Sequence, residues 1–324
     1  MKKTLSALGL AALLAGGASA QDPNYAGKRI PYEPGFRVYI VPDMEGMGSV
    51  VHTREVIAGN EAPRYRELSS PDYWQQYRHL LTAEVNATIA GARAGGAQSF
   101  VVNEGHGGNL FANVLPWELD PAAILIRGYP KPIVMATAID STFGTMMFTG
   151  AHANAGSPGV MAHNFAFDRF SVNGRSLNEV GINALIAGEM GVSVSLVSGD
   201  DVLIEETRAM LDNGFIGVVV KTAVGRNAAI TYGPECVRTM LRDSAQAAVR
   251  RERAGEFRPF TLDRPYTVEF TLRASYPAAY VEGVQAMGGA FRLQQTGDRS
   301  WRMVTSSARE IGYLLDAIEE VVLQ

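Results

Sequence analysis

Apolar and polar positions fall into blocks whose period switches between that of a buried strand and that of a helix. Residues 37–41 (RVYIV) form a short apolar run, as expected of a strand covered on both faces. Over 72–95, Tyr73, Tyr77, Leu80, Leu81, Val85 and Ile89 recur at helical spacing, and Gly95-Gly96 supplies a stop. The same reading predicts strands at 98–103, 146–149, 192–198 and 215–220, and helices at 177–190, 200–212 and 234–253. This order predicts an α/β fold, with a mostly parallel sheet flanked by helices and ligands gathered at the carboxyl ends of its strands.

The pattern changes near Gly255. PFTLDRP reads as a linker, 266–273 and 301–305 as strands, and 308–322 as a closing amphipathic helix. The expected organisation is a main α/β domain over 37–254 and a smaller C-terminal α+β domain over 255–324. Ahead of both lies an extended, Pro-, Gly- and Tyr-rich lead-in at 21–36. Residues 1–20 (MKKTLSALGLAALLAGGASA) have a basic start, an apolar middle and a small-x-small end, the pattern of a signal peptide cut after Ala20. The expectation is a periplasmic or secreted chain, with no membrane attachment once that segment is removed.

Composition narrows the classes. The 324 residues are 47% hydrophobic and 19% charged, with a net charge of −4, which argues for a soluble globular chain. No basic stripe of the kind that binds nucleic acid is present. The single cysteine, Cys236, excludes an intramolecular disulfide and reads as a small buried residue rather than a catalytic thiol.

The chemistry collects where strands end. Asp43 and Glu45 follow the first strand with no Lys or Arg beside them. NEGHGG brings His106 after the second, GAHA brings His152 after the third, and GSPGVMAH brings His163. Glu179 lies early in the helix that follows. Two carboxylates placed close together repel, and a divalent cation removes the conflict. With no thiolate to offer, a His-and-carboxylate set suits Zn, Mn, Co or Fe. The number of candidates exceeds what one open catalytic zinc needs and fits a two-metal hydrolase.

DMEG at 43–46, LLTAEVNATIAGARAGGA at 80–97, VVNEGHGGNL at 101–110, GAHANAGSPGVMAH at 150–163 and LNEVGINALIAGEMGVSVSLVSGDD at 177–201 together resemble the zinc-dependent D-aminopeptidases of the DppA type, in order and in approximate spacing. VKTAVGRNAAI at 220–230 resembles a further block. The resemblance implies two Zn2+ ions per chain, held by Asp43, Glu45, His106, His152 and Glu179, with Asp43 bridging. It also implies a catalytic role for His163. Spacing alone does not single out Glu179, because a helix glutamate faces solvent by default. The implied activity is hydrolysis of short peptides with an N-terminal D-amino acid, D-Ala-containing ones included, by water activated at the two metals. The implied assembly is a homo-oligomer, a decameric ring. The residues by themselves also accommodate another two-metal amidase, a phosphoesterase or an inactive metal-binding protein.

Four features depart from the family pattern: Glu104 in place of Asp, Pro42 before DMEG, a longer stretch over 52–72, and the signal peptide itself. Among the remaining candidates, His79 reads as a surface residue, and His52 as one that could approach the site. Lys221 and Arg226 read either as holders of a substrate carboxylate or as an exposed pair. Asp200, beside Asp201, reads as a helix cap, with a role toward the substrate amine as the alternative. Ser157 has no base–acid pair around it and is not expected to act as a nucleophile.

Overall fold

The computed structural model describes residues 34–57, 71–212, 214–278, 281, 284 and 291–323. The expected signal peptide and most of the lead-in lie outside the described residues, as does 58–70 of the longer stretch. In chain order the elements are β1 (Arg37–Pro42), α1 (Pro71–Gly95), β2 (Ser99–Asn103), β3 (Ala123–Ile126), β4 (Thr145–Thr149), β5 (Phe167–Val172), β6 (Arg175–Ser176), α2 (Glu179–Glu189), β7 (Ser193–Asp200), α3 (Asp201–Met210), β8 (Ile216–Gly225), β9 (Ala228–Thr231), α4 (Pro234–Arg253), β10 (Tyr266–Leu272), β11 (Gln294–Gly297), β12 (Ser300–Thr305) and α5 (Ala308–Leu323).

Seven strands form the main sheet in the order β3-β2-β1-β4-β7-β8-β9, parallel throughout except for the terminal β8–β9 hairpin. Strand residues alternate between two cores, as a two-sided sheet requires. Val38 and Ile40 of β1 pack with Leu81, Val85 and Ile89 of α1 and with Val237, Leu241 and Ala245 of α4. Tyr39 and Val41 face the other core, which holds α2, α5 and the second sheet. The chain runs from β1 outward through β2 to β3, then returns to pair β4 with the opposite edge of β1. That reversal opens a crevice at the carboxyl ends of β1, β2 and β4, where open α/β sheets bind ligands.

The second sheet is antiparallel, in the order β11-β12-β10-β5-β6. Two of its strands come from 167–176, so the stretch from 255 onward does not build this layer alone. β8 runs beyond the apolar segment read from the sequence because its polar end pairs with β9. Cys236 is exposed, against the expectation of burial. It lies in the first turn of α4, off the face that buries Val237, Leu241, Ala245, Ala248 and Val249. No helix among the described residues is long and apolar enough to cross a membrane.

An acid lies buried on α1. Glu84 is buried beneath the 43–50 loop, and its Oε2 has no hydrogen-bond partner. Burial pushes its carboxyl up to about 7, against the opposing pull of the Gly48 N–H and Lys221. The folded pKa lies above the ordinary value, so this group's contribution is fully present below about 4.5 and is lost as pH rises through about 7. Glu84→Gln should therefore flatten the stability profile across that window and stabilise the protein above it, by on the order of a few kcal/mol. Denaturant unfolding of both forms at a series of pH values tests this; parallel profiles would refute it.

Candidate metal centre

The crevice is lined by loops whose backbones are tied to one another. After β1, Asp43 N–H donates to Thr149 O at 2.9 Å and Gly46 N–H to Gly150 O at 2.7 Å. Lys221 from β8 is fully buried, and its Nζ donates to the carbonyls of Glu45 (2.6 Å), Met47 (3.0 Å) and Val50 (2.6 Å). It is therefore neither exposed nor open to a substrate: it grips the loop that carries Asp43 and Glu45. Its place in an apolar run, GVVVKTAV, is the sequence signal for burial. Arg226 is likewise committed to backbone, donating to Ala162 O at 2.7 Å beside His163. Asp200 caps α3 through Leu203 N–H (2.8 Å) and takes Val160 N–H (2.6 Å), so one carboxylate fixes both helix and loop.

Gly46 marks the closest approach between these loops. A Cβ there would lie 1.8 Å from Ala151 O and 2.3 Å from Gly150 O, both backbone atoms that cannot step aside. Gly46→Ala should separate the loop bearing Asp43 and Glu45 from the one bearing His152. We expect a loss of roughly 3 kcal/mol or more, seen as a fall of several degrees in Tm; an unchanged melting curve would contradict this contact.

Six side chains converge in the crevice. Asp43, Glu45 and His106 form one triad of possible ligands, and His152, His163 and Glu179 a second. Asp43 joins them, with Oδ1 3.5 Å from His106 Nδ1 and Oδ2 3.5 Å from His152 Nε2. His106 Nδ1 lies 2.7 Å from Glu45 Oε2, and His152 Nε2 lies 3.6 Å from Glu179 Oε2. His163 stacks on His152 with ring centroids 3.9 Å apart, and its Nε2 lies 3.8 Å from Glu45 Oε1.

Each imidazole is oriented from behind. His106 Nε2 contacts Val56 O (2.8 Å), His152 Nδ1 contacts Ala153 O (3.1 Å), and His163 Nδ1 contacts Met161 O (2.8 Å). Carbonyls only accept, so those nitrogens carry protons and the opposite nitrogen of each ring faces the cluster. Glu179 starts α2, where Asn178 caps the helix through Gly181 N–H; its Oε1 takes Phe165 N–H at 2.6 Å and its Oε2 is left for the crevice. Backbone conformation contributes as well. Met161 (φ 52°) and Phe165 (φ 41°) occupy the left-handed region on either side of His163, a strain that concentrates at functional sites.

The electrostatics fit a cation. Burial and the adjacent Glu45 push the Asp43 carboxyl up to about 6. Burial also disfavours the charges on Glu45 and Glu179, yet His106 and His152 respectively hold these carboxyls below their ordinary range. In return, and despite burial, the carboxylates raise His106 well above its usual value and His152 to about 10. Burial and the neighbouring His152 push His163 down to about 3, so its ring is neutral. Glu45 Oε2 is buried and lacks a hydrogen-bond partner despite its proximity to His106 Nδ1. A divalent ion between the two atoms would satisfy both. An all-N/O donor set of this kind suits zinc or a neighbouring transition metal.

The other sequence candidates lie away from the cluster. His52 Nδ1 accepts Arg54 N–H (3.1 Å) and caps the turn that presents Val56 O to His106. His79 pairs with Glu118 at the surface. Ser157 donates to Glu206. Glu104 takes Val114 N–H (2.7 Å), so it supports the loop after His106 rather than His106 itself.

Two adjacent donor triads, with Asp43 of one facing His152 of the other, lie at the switch point of an α/β sheet and fit a hydrolase-type metal centre. Comparison with known proteins agrees. The D-aminopeptidase family model matches residues 36–311. A D-aminopeptidase of Bacillus subtilis (strain 168) is 31% identical over 239 residues, covering 72% of this chain and 81% of the relative. The solved structure of a Zn-dependent D-aminopeptidase DppA from Bacillus subtilis, described as a self-compartmentalizing protease, aligns with a TM-score of 0.76 at 26% identity, covering 89% of this chain and 98% of that one. The chain belongs to the D-aminopeptidase family.

Proposed function

We propose that this chain is a two-zinc aminopeptidase that removes an N-terminal D-residue, D-Ala included, from short peptides. The observation that carries the reading is Asp43, whose two oxygens face histidines of opposite triads at equal distances of 3.5 Å. Asp43, Glu45 and His106 would hold one ion, and Asp43, His152 and Glu179 the other. Bound zinc supplies Lewis acidity toward a carbonyl oxygen and toward water. His163 presents an unprotonated Nε2 to the same space, takes the proton of the attacking water and delivers it to the departing amine. The burial of the donors limits competing bulk water. The D-aminopeptidase relatives support the stereochemical preference, and the self-compartmentalizing neighbour supports a homo-oligomer, for which a decameric ring is our reading. The signal-like segment at 1–20 supports export to the periplasm or beyond, where D-Ala-containing peptides occur.

The test is direct. Purified protein should contain about two zinc ions per chain and cleave D-Ala-D-Ala in preference to L-Ala-L-Ala. Chelation should abolish activity and zinc add-back restore it. Activity that persists in metal-stripped protein would overturn the mechanism; equal rates on both dipeptides would overturn the stereochemical assignment. Intact mass of exported protein beginning at Gln21 would support the cleavage site.

A further inference from the structure

We propose that Glu55 is a positioning residue for the metal centre: it fixes the turn whose carbonyl orients His106, and so sets how tightly the Asp43–Glu45–His106 triad holds its ion. The assignment rests on the two-zinc reading above. The ring of His106 is aimed by its Nε2 contact with Val56 O at 2.8 Å. Val56 closes a short helical turn, Thr53–Glu55, so the direction of its carbonyl follows the turn. Two backbone bonds, Glu55 N–H to His52 O (2.9 Å) and Val56 N–H to Thr53 O (3.2 Å), are too few to hold so short a turn by themselves. Glu55 supplies the rest. Its Oε2 accepts Val51 N–H (2.7 Å) and His52 N–H (2.9 Å), completing a capping box with His52. Its Oε1 accepts the Tyr77 hydroxyl of α1 at 2.9 Å. One carboxylate therefore fastens the turn both to itself and to a long helix, through bonds that its charge strengthens.

The surroundings leave little slack. A Cβ on Gly108 would lie 2.3 Å from His106 Nε2 and 2.8 Å from Val56 O, so glycine is what lets the ring and the carbonyl meet. The main chain of His106 is held from the same helix. Trp74, Tyr77 and Arg78 share one face of α1. Trp74 Nε1 donates to Asn113 Oδ1 (3.4 Å) and Arg78 Nε to Asn113 O (2.8 Å), and Asn113 Nδ2 donates to His106 O (3.0 Å) and Gly108 O (2.8 Å). α1 thus brackets His106 twice, its backbone through Asn113 and its ring through Glu55. The backbone arm leaves the ring free to turn about its side-chain bonds, so the ring's orientation depends on the Glu55 arm. The other triad is oriented separately: His152 by the carbonyl of the next residue, Ala153, and Glu179 by Phe165 N–H. Loss of Glu55 therefore bears on one ion and spares the other.

The experiment titrates metal-free protein with zinc by calorimetry, for wild type, Glu55→Ala, Glu55→Gln and Tyr77→Phe. Asp120→Ala serves as the control, because Asp120 ties Arg93 of α1 to the loop before β3, at the end of the sheet opposite the crevice. Glu55→Ala should weaken one zinc site by about 10–100-fold, the range for loss of a group that supports a ligand, and leave the other within about twofold. Glutamine keeps an acceptor oxygen and should recover part of the loss; Tyr77→Phe should weaken the same site by less. Asp120→Ala should change neither site, although it too unfastens a loop from α1. Crystal structures of the metal-free wild type and of metal-free Glu55→Ala read the ring itself: His106 Nε2 should meet Val56 O in the first and leave it in the second. Where wild type binds two ions, equal weakening of both sites, unchanged affinities, or the same loss in Asp120→Ala would overturn the proposal. A His106 ring still seated on Val56 O in Glu55→Ala would overturn it in any case. Should wild type bind one zinc ion or none, yet the ring turn away in Glu55→Ala, the two-zinc reading falls and the positioning role stands.

Discussion

Asp43→Asn should empty the centre. The amide keeps the size and one acceptor oxygen but cannot offer a charged oxygen to each triad. We expect bound zinc to fall below one per chain and activity to fall by ~10³-fold or more, beyond the roughly 10²–10³ lost when a single oxyanion donor is removed. Elemental analysis and initial rates measure the two effects. A third readout guards against misfolding. In the metal-free state Asp43 is disfavoured as an anion by burial and by Glu45, so the neutral amide should leave metal-free Tm equal or higher. Retention of two ions per chain would remove Asp43 from the role of bridge.

The second large effect is expected at His163. His163→Ala should lower kcat by roughly 10²–10⁴, the range for loss of a positioned acid–base group, while both metals stay bound. His163 lies close enough to His152 and Glu179 to count as a possible ligand. The metal content of the variant therefore decides between two roles: two ions with little turnover assigns proton transfer, and one ion assigns coordination. The stacked His152 makes the contrast clear, because His152→Ala should lose metal as well as rate.

Much of this was legible in the chain because the physics is local. β1, β2, β4 and β7 are covered on both faces and read as apolar runs, and the first donors appear just past three of their ends. Glu179 was legible only by resemblance, since nothing in a helix glutamate's spacing distinguishes a buried first-turn position from a solvated one. β3 carries no clear sequence sign because AILI is short and half-buried at the sheet edge. β5 and β6 carry a readable sign, alternation around Asn173-Gly174, which are the two turn residues with positive φ. The role of Lys221 is not legible in the sequence because a lysine's default is solvent, and only the fold brings three carbonyls to its Nζ. Cys236 departs from expectation for the opposite reason: its type favours burial, while its position on α4 does not.

All three imidazoles are steered by main-chain oxygens, those of Val56, Ala153 and Met161. No single amino-acid replacement can delete a peptide carbonyl. Sequence drift around the crevice can therefore proceed far, in loop length and in side-chain identity, before a ring turns the wrong nitrogen inward. Relatives that have changed what they recognise should be able to keep the same coordination sphere, with tolerance lost only at the glycines and buried anchors that fix where the backbone runs.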